Sequence, residues 1–187
     1  RSVYVGPNLY AQFPVIRLEL ALGALEDWPT VRLGEPFLAG LLTHLPGLAE
    51  HGCSYGEPGG FLRRCRENEG TWLGHVLEHL AIELQHRTGR SVTFGKTRSL
   101  DQPGHYQVVY EYEEETVGIE AGNLALALIQ SLLPEALRTA GALPAGFVAE
   151  SAVEDFIRMA QRRDLGPSTA SLVTSGALAG QGGAHAD

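Results

Sequence analysis

The sequence predicts an α+β fold: a small, mostly antiparallel sheet packed with a few helices, followed by a C-terminal helix and a disordered tail. Three observations predict it. Val15 to Leu22 and Tyr106 to Tyr112 alternate with the period of two that half-buried strands show. Leu73 to Leu84 and Glu115 to Leu133 carry apolar residues at helical spacing. Strands and helices also lack the regular β-α-β alternation of a doubly wound parallel sheet.

The elements follow in order. Val3 to Val5 reads as a first strand. In the second, Val15, Arg17 and Glu19 alternate against Ile16, Leu18 and Leu20. Pro36 to Leu45 reads as a helix closed by Pro46-Gly47, and His51 to Gly60 as a loop of turn formers. Phe61 to Arg66 reads as a short helix, and Thr71 as the N-cap of a longer one that stops near Gly89. Ser91 to Phe94 and Tyr106 to Tyr112 read as a strand pair. Glu115 to Leu133 is an amphipathic helix with Val117, Ala121, Leu124, Leu128 and Leu132 on its stripe. Pro134 to Gly146 reads as a linker, Val148 to Arg163 as a last helix and Gly176 to Asp187 as a disordered, small-residue tail. The expected division is a core over 1–134, a linker with the C-terminal helix over 135–175, and the tail over 176–187.

Composition narrows the function classes. A chain of 187 residues with 44% hydrophobic and 19% charged content buries a real core as one domain with appendages. The net charge of −8 argues against nucleic acid as the main partner. No apolar run reads as membrane-spanning, and Cys53 and Cys65 lack metal-type spacing, so the expected setting is reduced and cytoplasmic.

The chemistry concentrates in Gly74 to Leu84, which contains His-x-x-Glu-His, the reversed zinc-peptidase signature. At about 100° per residue, Leu73, Val76, Leu77, Leu80 and Leu84 form one apolar stripe, and His75, Glu78 and His79 centre on the opposite side. Residues i and i+4 lie one above the other, so His75 and His79 can offer one nitrogen each to a single Zn²⁺ or another divalent metal. Glu78 then stands where a general base is needed. Ile82 and His86 continue that face, and Gly74 leaves room beside His75. The plain alternative is a surface helix with two solvated histidines.

Catalytic zinc keeps three protein ligands and an open position. A distant carboxylate is expected as the third, with Glu115 at a helix start preferred over Glu111, Glu120, Glu150 and the nearby but rotated Glu83. The competing reading of Glu113-Glu114-Glu115 is a helix N-terminus favouring acidic residues.

Other segments carry a family resemblance. Gly6-Pro7-Asn8, Arg17-Leu18-Glu19-Leu20, Pro58-Gly59-Gly60-Phe61 and Gly70-Thr71-Trp72-Leu73-Gly74-His75 resemble the N-terminal domain of cyanophycin synthetases. So do Glu78 to Gln85, Phe94-Gly95-Lys96-Thr97-Arg98 and Tyr110 to Glu115, and Leu165 to Ser171 resembles the segment where that family passes into its ATP-grasp region. The similarity runs over about residues 3–173.

What the resemblance implies is a domain that holds cyanophycin, an aspartate backbone carrying arginine on its side chains. In some members it also cleaves the polymer at His-x-x-Glu-His, making shorter chains that prime synthesis. The intact His75, Glu78 and His79 favour such a hydrolytic member. The implied partners are the polymer and the ligase domains of a synthetase; a homo-oligomer stays open, as does a stand-alone protein against one part of a longer chain. The polymer's free carboxylates call for cations, for which Arg64, Lys96 and Arg98 flank the motif. Surface salt-bridging is the duller role for these three. The rival function is a non-catalytic polymer-binding and scaffolding domain, and a general peptidase is a weaker third.

Overall fold

A computed structural model describes residues 1–53 and 56–141. Strand β1 (Ser2–Tyr4) leads through a loop to β2 (Val15–Ala21), and a 3₁₀ turn (Gly23–Asp27) precedes helix α1 (Thr30–His44). A second 3₁₀ turn (Pro46–Glu50) is followed by α2 (Gly60–Arg66) and then α3 (Leu73–His86). Strands β3 (Gly95–Ser99) and β4 (His105–Glu111) form a hairpin, and α4 (Glu115–Thr139) closes the described fold. The sheet has four strands in the order β1-β2-β4-β3, every neighbouring pair antiparallel, so the α+β expectation holds.

The register explains the alternation. Ile16 pairs with Tyr110 and Leu18 with Val108, placing both pairs on the helix-covered face. β4 lies between two neighbours, and its residues Tyr106 to Tyr110 are buried throughout. α4 lies close on the sheet because it presents glycines there: a Cβ on Gly122 would fall 2.1 Å from the Tyr110 hydroxyl, and one on Gly118 2.6 Å from the Tyr112 Cβ. The Tyr110 hydroxyl instead donates to the Gly118 carbonyl at 3.0 Å.

Four boundaries differ from the sequence reading. The third strand is Gly95–Ser99 rather than Ser91 to Phe94. The Glu111 carboxylate accepts the Thr93 and Phe94 amides at 2.8 and 3.0 Å, and Glu113 accepts that of Ser91. Those donors are thereby satisfied outside the ladder, which starts at Gly95 opposite Tyr110. α1 begins six residues early, at Thr30, because Gly34 takes a positive φ of 76° and joins a preceding turn to the expected helix. Trp72, not Thr71, caps α3. α4 runs through Pro134 to Thr139, since Leu133, Ala136 and Leu137 are buried and hold its last turns against the core. By length and composition α4 also suffices to cross a membrane, contrary to the reading of the sequence. Half of that window is buried, as in a core helix packed on α1 and α3. The 142–187 segment, with the expected last helix, the tail and Glu150, lies outside the described residues.

α3 is the centre of the fold. Every residue from Val76 to Gln85 is buried, so its polar face is roofed rather than open. The sheet and α4 cover one side; the 46–53 loop, Phe61 of α2 and strand β3 cover the other.

Candidate metal centre

Under that roof, three histidines, a threonine and a glutamate form one hydrogen-bonded line, with a fourth histidine, His86, facing its acidic end. Thr71 Oγ1 lies 2.9 Å from His75 Nδ1, and His75 Nε2 lies 3.1 Å from His79 Nε2. His79 Nδ1 lies 3.1 Å from His51 Nδ1, and His51 Nε2 lies 3.0 Å from Glu83 Oε2. His86 Nδ1 faces the same Glu83 oxygen at 3.7 Å, and its Nε2 donates to the Val92 carbonyl. The Phe61 ring stacks on His79 at 4.2 Å between centroids, fixing the imidazole plane.

Protons can be placed along this line from its acidic end. Burial alone would raise the Glu83 carboxyl, but the His51 hydrogen bond and the neighbouring His86 imidazole overcome it and hold it down at about 2. An ionised carboxylate only accepts, so His51 Nε2 carries a hydrogen. A bare His51 Nδ1 accepts the His79 Nδ1–H across their 3.1 Å contact. Burial holds His79 neutral, so with that hydrogen on Nδ1 its Nε2 is bare and turned toward His75. The carboxylate at the far end of the line thus selects the His79 nitrogen that offers a lone pair.

Cys53 completes a donor set there. Its Sγ lies 3.5 Å from His75 Nε2, and the ligand atoms of Cys53, His75 and His79 all lie within 4.8 Å of one another. Tetrahedral zinc, with nitrogen at about 2.0–2.1 Å and sulfur at about 2.3 Å, separates two nitrogens by about 3.3 Å and a nitrogen from a sulfur by about 3.6 Å. The observed 3.1 and 3.5 Å fit that spacing. Two imidazoles and a thiol are also the donor types zinc favours.

The third metal-type donor beside the pair is therefore Cys53, and Glu115, the expected one, lies away from it. Glu115 stands exposed in the first turn of α4 and belongs to neither cluster of metal-type donors among the described residues. The other carboxylates are also accounted for. Glu111 caps the 91–94 segment, Glu83 serves His51 and His86, and half-buried Glu120 on α4 joins neither cluster.

Glu78, one turn on from His75 and next to His79 in α3, is buried, with Thr97 Oγ1 donating to its Oε2 at 2.6 Å. Burial pushes its carboxyl up to about 7, with the Thr97 hydrogen bond pulling the other way. Gly95 makes room for it: a Cβ there would sit 2.5 Å from Glu78 Oε1. Burial also depresses His75, helped by Arg64, to about 4, and His79, helped by His75 and His51, to about 2.

These shifts give a signed pH dependence for the metal-free chain. Below 6.5 the unfolded chain protonates His75 and His79 while the folded chain does not, so acid costs stability. Glu78 acts oppositely, because it gains its proton near 7 when folded and near 4.5 when unfolded. His86, raised by the facing Glu83 carboxylate, contributes fully below 6.5, and the Glu83 contribution is lost only below 4.5. Two histidines against one carboxyl leave a net of one proton, so stability should fall by up to about 1.4 kcal/mol per pH unit. Thermal melts of chelated protein between pH 6.5 and pH 5 should show a falling midpoint; a flat or rising one contradicts the assignment.

Two clefts, of about 790 and about 980 Å³, meet over the site and share Cys53, His75 and Thr97. Arg64 and Arg98 line the first, together with Glu26 and Glu67, and Lys96 lines the second with Glu50. Among the described residues none of Arg64, Lys96 and Arg98 is in an ion pair.

The sequence reading brought His75, Glu78 and His79 together and missed His51, Cys53, Thr97 and the use made of His86. A signal for two of them was present: His51-Gly52-Cys53 places two metal-type donors in one glycine-flanked loop between helices.

Comparison with known proteins places the chain beside one family. The family model described as the cyanophycin synthase-like N-terminal domain matches residues 17–134. Cyanophycin synthetases from Synechocystis sp. and Crocosphaera subtropica are each 40% identical over 171 residues, and that of Nostoc sp. is 39% identical over 170. Each alignment covers 90% of this chain and 18–19% of the relative, so the chain spans about a fifth of those proteins. This similarity leads to one assignment: the chain belongs to the cyanophycin synthetase N-terminal domain family.

Proposed function

We propose that this domain is a metal-dependent hydrolase that cuts within cyanophycin chains and leaves shorter ones. One observation carries the reading: the convergence of Cys53, His75 and His79 beside a buried Glu78, at the meeting of two clefts lined by both signs of charge. Zn²⁺ or a similar ion fits the donor set and would supply Lewis-acid polarisation of a carbonyl and acidification of water.

The chain's own residues supply the rest. His79 offers Nε2 because its Nδ1–H is committed to His51, and His75 offers Nε2 once its Nδ1–H turns to Thr71 Oγ1. Glu78 keeps Oε2 on the Thr97 hydroxyl, leaving Oε1 beside the open space at Gly95 to take a proton from the attacking water. The same carboxyl then delivers that proton to the leaving nitrogen, a cycle suited to a group titrating near neutrality. An arginine-bearing aspartate polymer is charged in both senses. Arg64, Arg98 and Lys96 match its carboxylates, and Glu26, Glu67 and Glu50 its guanidinium groups.

Incubating the chain with cyanophycin and sizing the product tests this. Progressive shortening is expected, whereas an unchanged length distribution with retained binding would favour a scaffolding domain. Gly95→Ala probes the geometry, since its methyl must displace the Glu78 carboxylate. The expected loss in kcat is about 10- to 100-fold with little change in melting temperature; unimpaired turnover would remove Oε1 from the mechanism.

A further inference from the structure

A second donor cluster lies at the other end of the histidine line: His51, Glu83 and His86, whose ligand atoms are within 4.8 Å of one another. We propose that it is a second divalent-cation site, filled in alternation with the Cys53–His75–His79 site rather than together with it.

The donors are suited to zinc or a neighbouring first-row ion, being two imidazole nitrogens and a carboxylate oxygen. Each is held from behind. The His86 Nε2–H is on the Val92 carbonyl, which leaves Nδ1 as the ligand atom facing Glu83. The His86 Nδ1 to Glu83 Oε2 separation of 3.7 Å exceeds a hydrogen bond, and the His51 Nε2 separation is 3.0 Å. The two bracket the roughly 3.3 Å between ligands on a tetrahedral ion. Gly47 backs the carboxylate so closely that a Cβ there would fall 2.1 Å from Glu83 Oε1. Exposed His86 leaves the cluster open to solvent, giving an ion entry and a water a fourth position.

Alternation follows from one proton. His79 Nδ1 and His51 Nδ1 face each other at 3.1 Å, so one hydrogen serves both. An ion on His79 Nε2 needs that hydrogen on His79; an ion on His51 Nε2 needs it on His51. Filling both would leave one ring as an imidazolate, which neutral-histidine ligation avoids. The thiol-containing site, being softer, should take zinc first. Occupancy of the second site would leave His79 with Nε2–H and the Glu78 centre without its ion.

Cobalt(II) titration of chelator-stripped chain tests this independently of hydrolysis. Wild type should take up one equivalent and show the near-ultraviolet absorption of a thiolate–cobalt bond. His75→Ala should still bind one equivalent, with visible d–d bands but no thiolate absorption. Adding His86→Ala to that variant should abolish binding, while His86→Ala alone should leave the thiolate signal intact. A His75→Ala chain that binds no cobalt, or binds it regardless of His86, overturns the second site. Two equivalents bound together by wild type at neutral pH overturn the alternation. Absence of thiolate absorption in wild type would count against Cys53 as a ligand, a separate failure from these.

Discussion

Glu78→Gln is expected to lower cyanophycin cleavage by about 10²- to 10⁴-fold, the range that positioned acid–base groups contribute, while metal content stays at the wild-type level. The substitution is nearly isosteric, and its amide oxygen can keep the Thr97 hydrogen bond. Stability provides a second readout. Because burial raises the Glu78 carboxyl to about 7, its ionised form destabilises the fold above that pH. The glutamine variant should therefore melt at or above the wild-type temperature at pH 8. Lost activity with a lowered melting temperature would instead point to damage of the fold.

Cys53→Ala is the second large effect. It removes a donor 3.5 Å from His75 Nε2 on a loop only partly buried, so the fold should survive. Metal affinity at the His75–His79 site should fall by more than the roughly 10- to 100-fold that follows loss of an outer-shell partner. Cleavage should fall with it. Glu115→Gln should change neither, because Glu115 is exposed and outside both donor clusters. Zinc competition titrations on the two variants separate the cases, and the opposite pattern would restore the carboxylate as ligand.

That contrast shows where the sequence was legible. His75, Glu78 and His79 lie on one continuous helix, where spacing alone brings side chains together. Cys53 and His51 reach them only through tertiary contacts. The Phe61 amide donates to the His51 carbonyl at 3.0 Å, and Gly60 is packed so tightly that a Cβ would lie 2.9 Å from the Cys53 nitrogen. No local period encodes that path. The place of Glu115 depends instead on where α4 starts. Arg90, beyond the C-terminus of α3, bonds Glu114 at 2.7 Å and anchors that start at the far end of the helix. His75 and His86 are separated by about 16 Å along the axis.

The sheet was legible for a related reason. The alternation in β2 and β4 records which residues face the helices, and the register of Ile16 against Tyr110 repeats it across the pair. β3 lacks such a pattern because it is an edge strand with exposed Lys96, Arg98 and Ser99. Its apolar neighbours Val92 and Phe94 drew the assignment upstream. The burial of both faces of α3 was likewise hidden, because the roof over its polar face comes from three separate segments.

The most direct test of the hydrolase assignment is cleavage of insoluble cyanophycin by the purified chain in three arms: as isolated, with chelator, and with chelator followed by zinc in excess. Cleavage lost to the chelator and restored by zinc is the predicted result. Polymer retained without cleavage in the zinc-loaded arm would contradict it and leave a docking domain with an idle histidine pair.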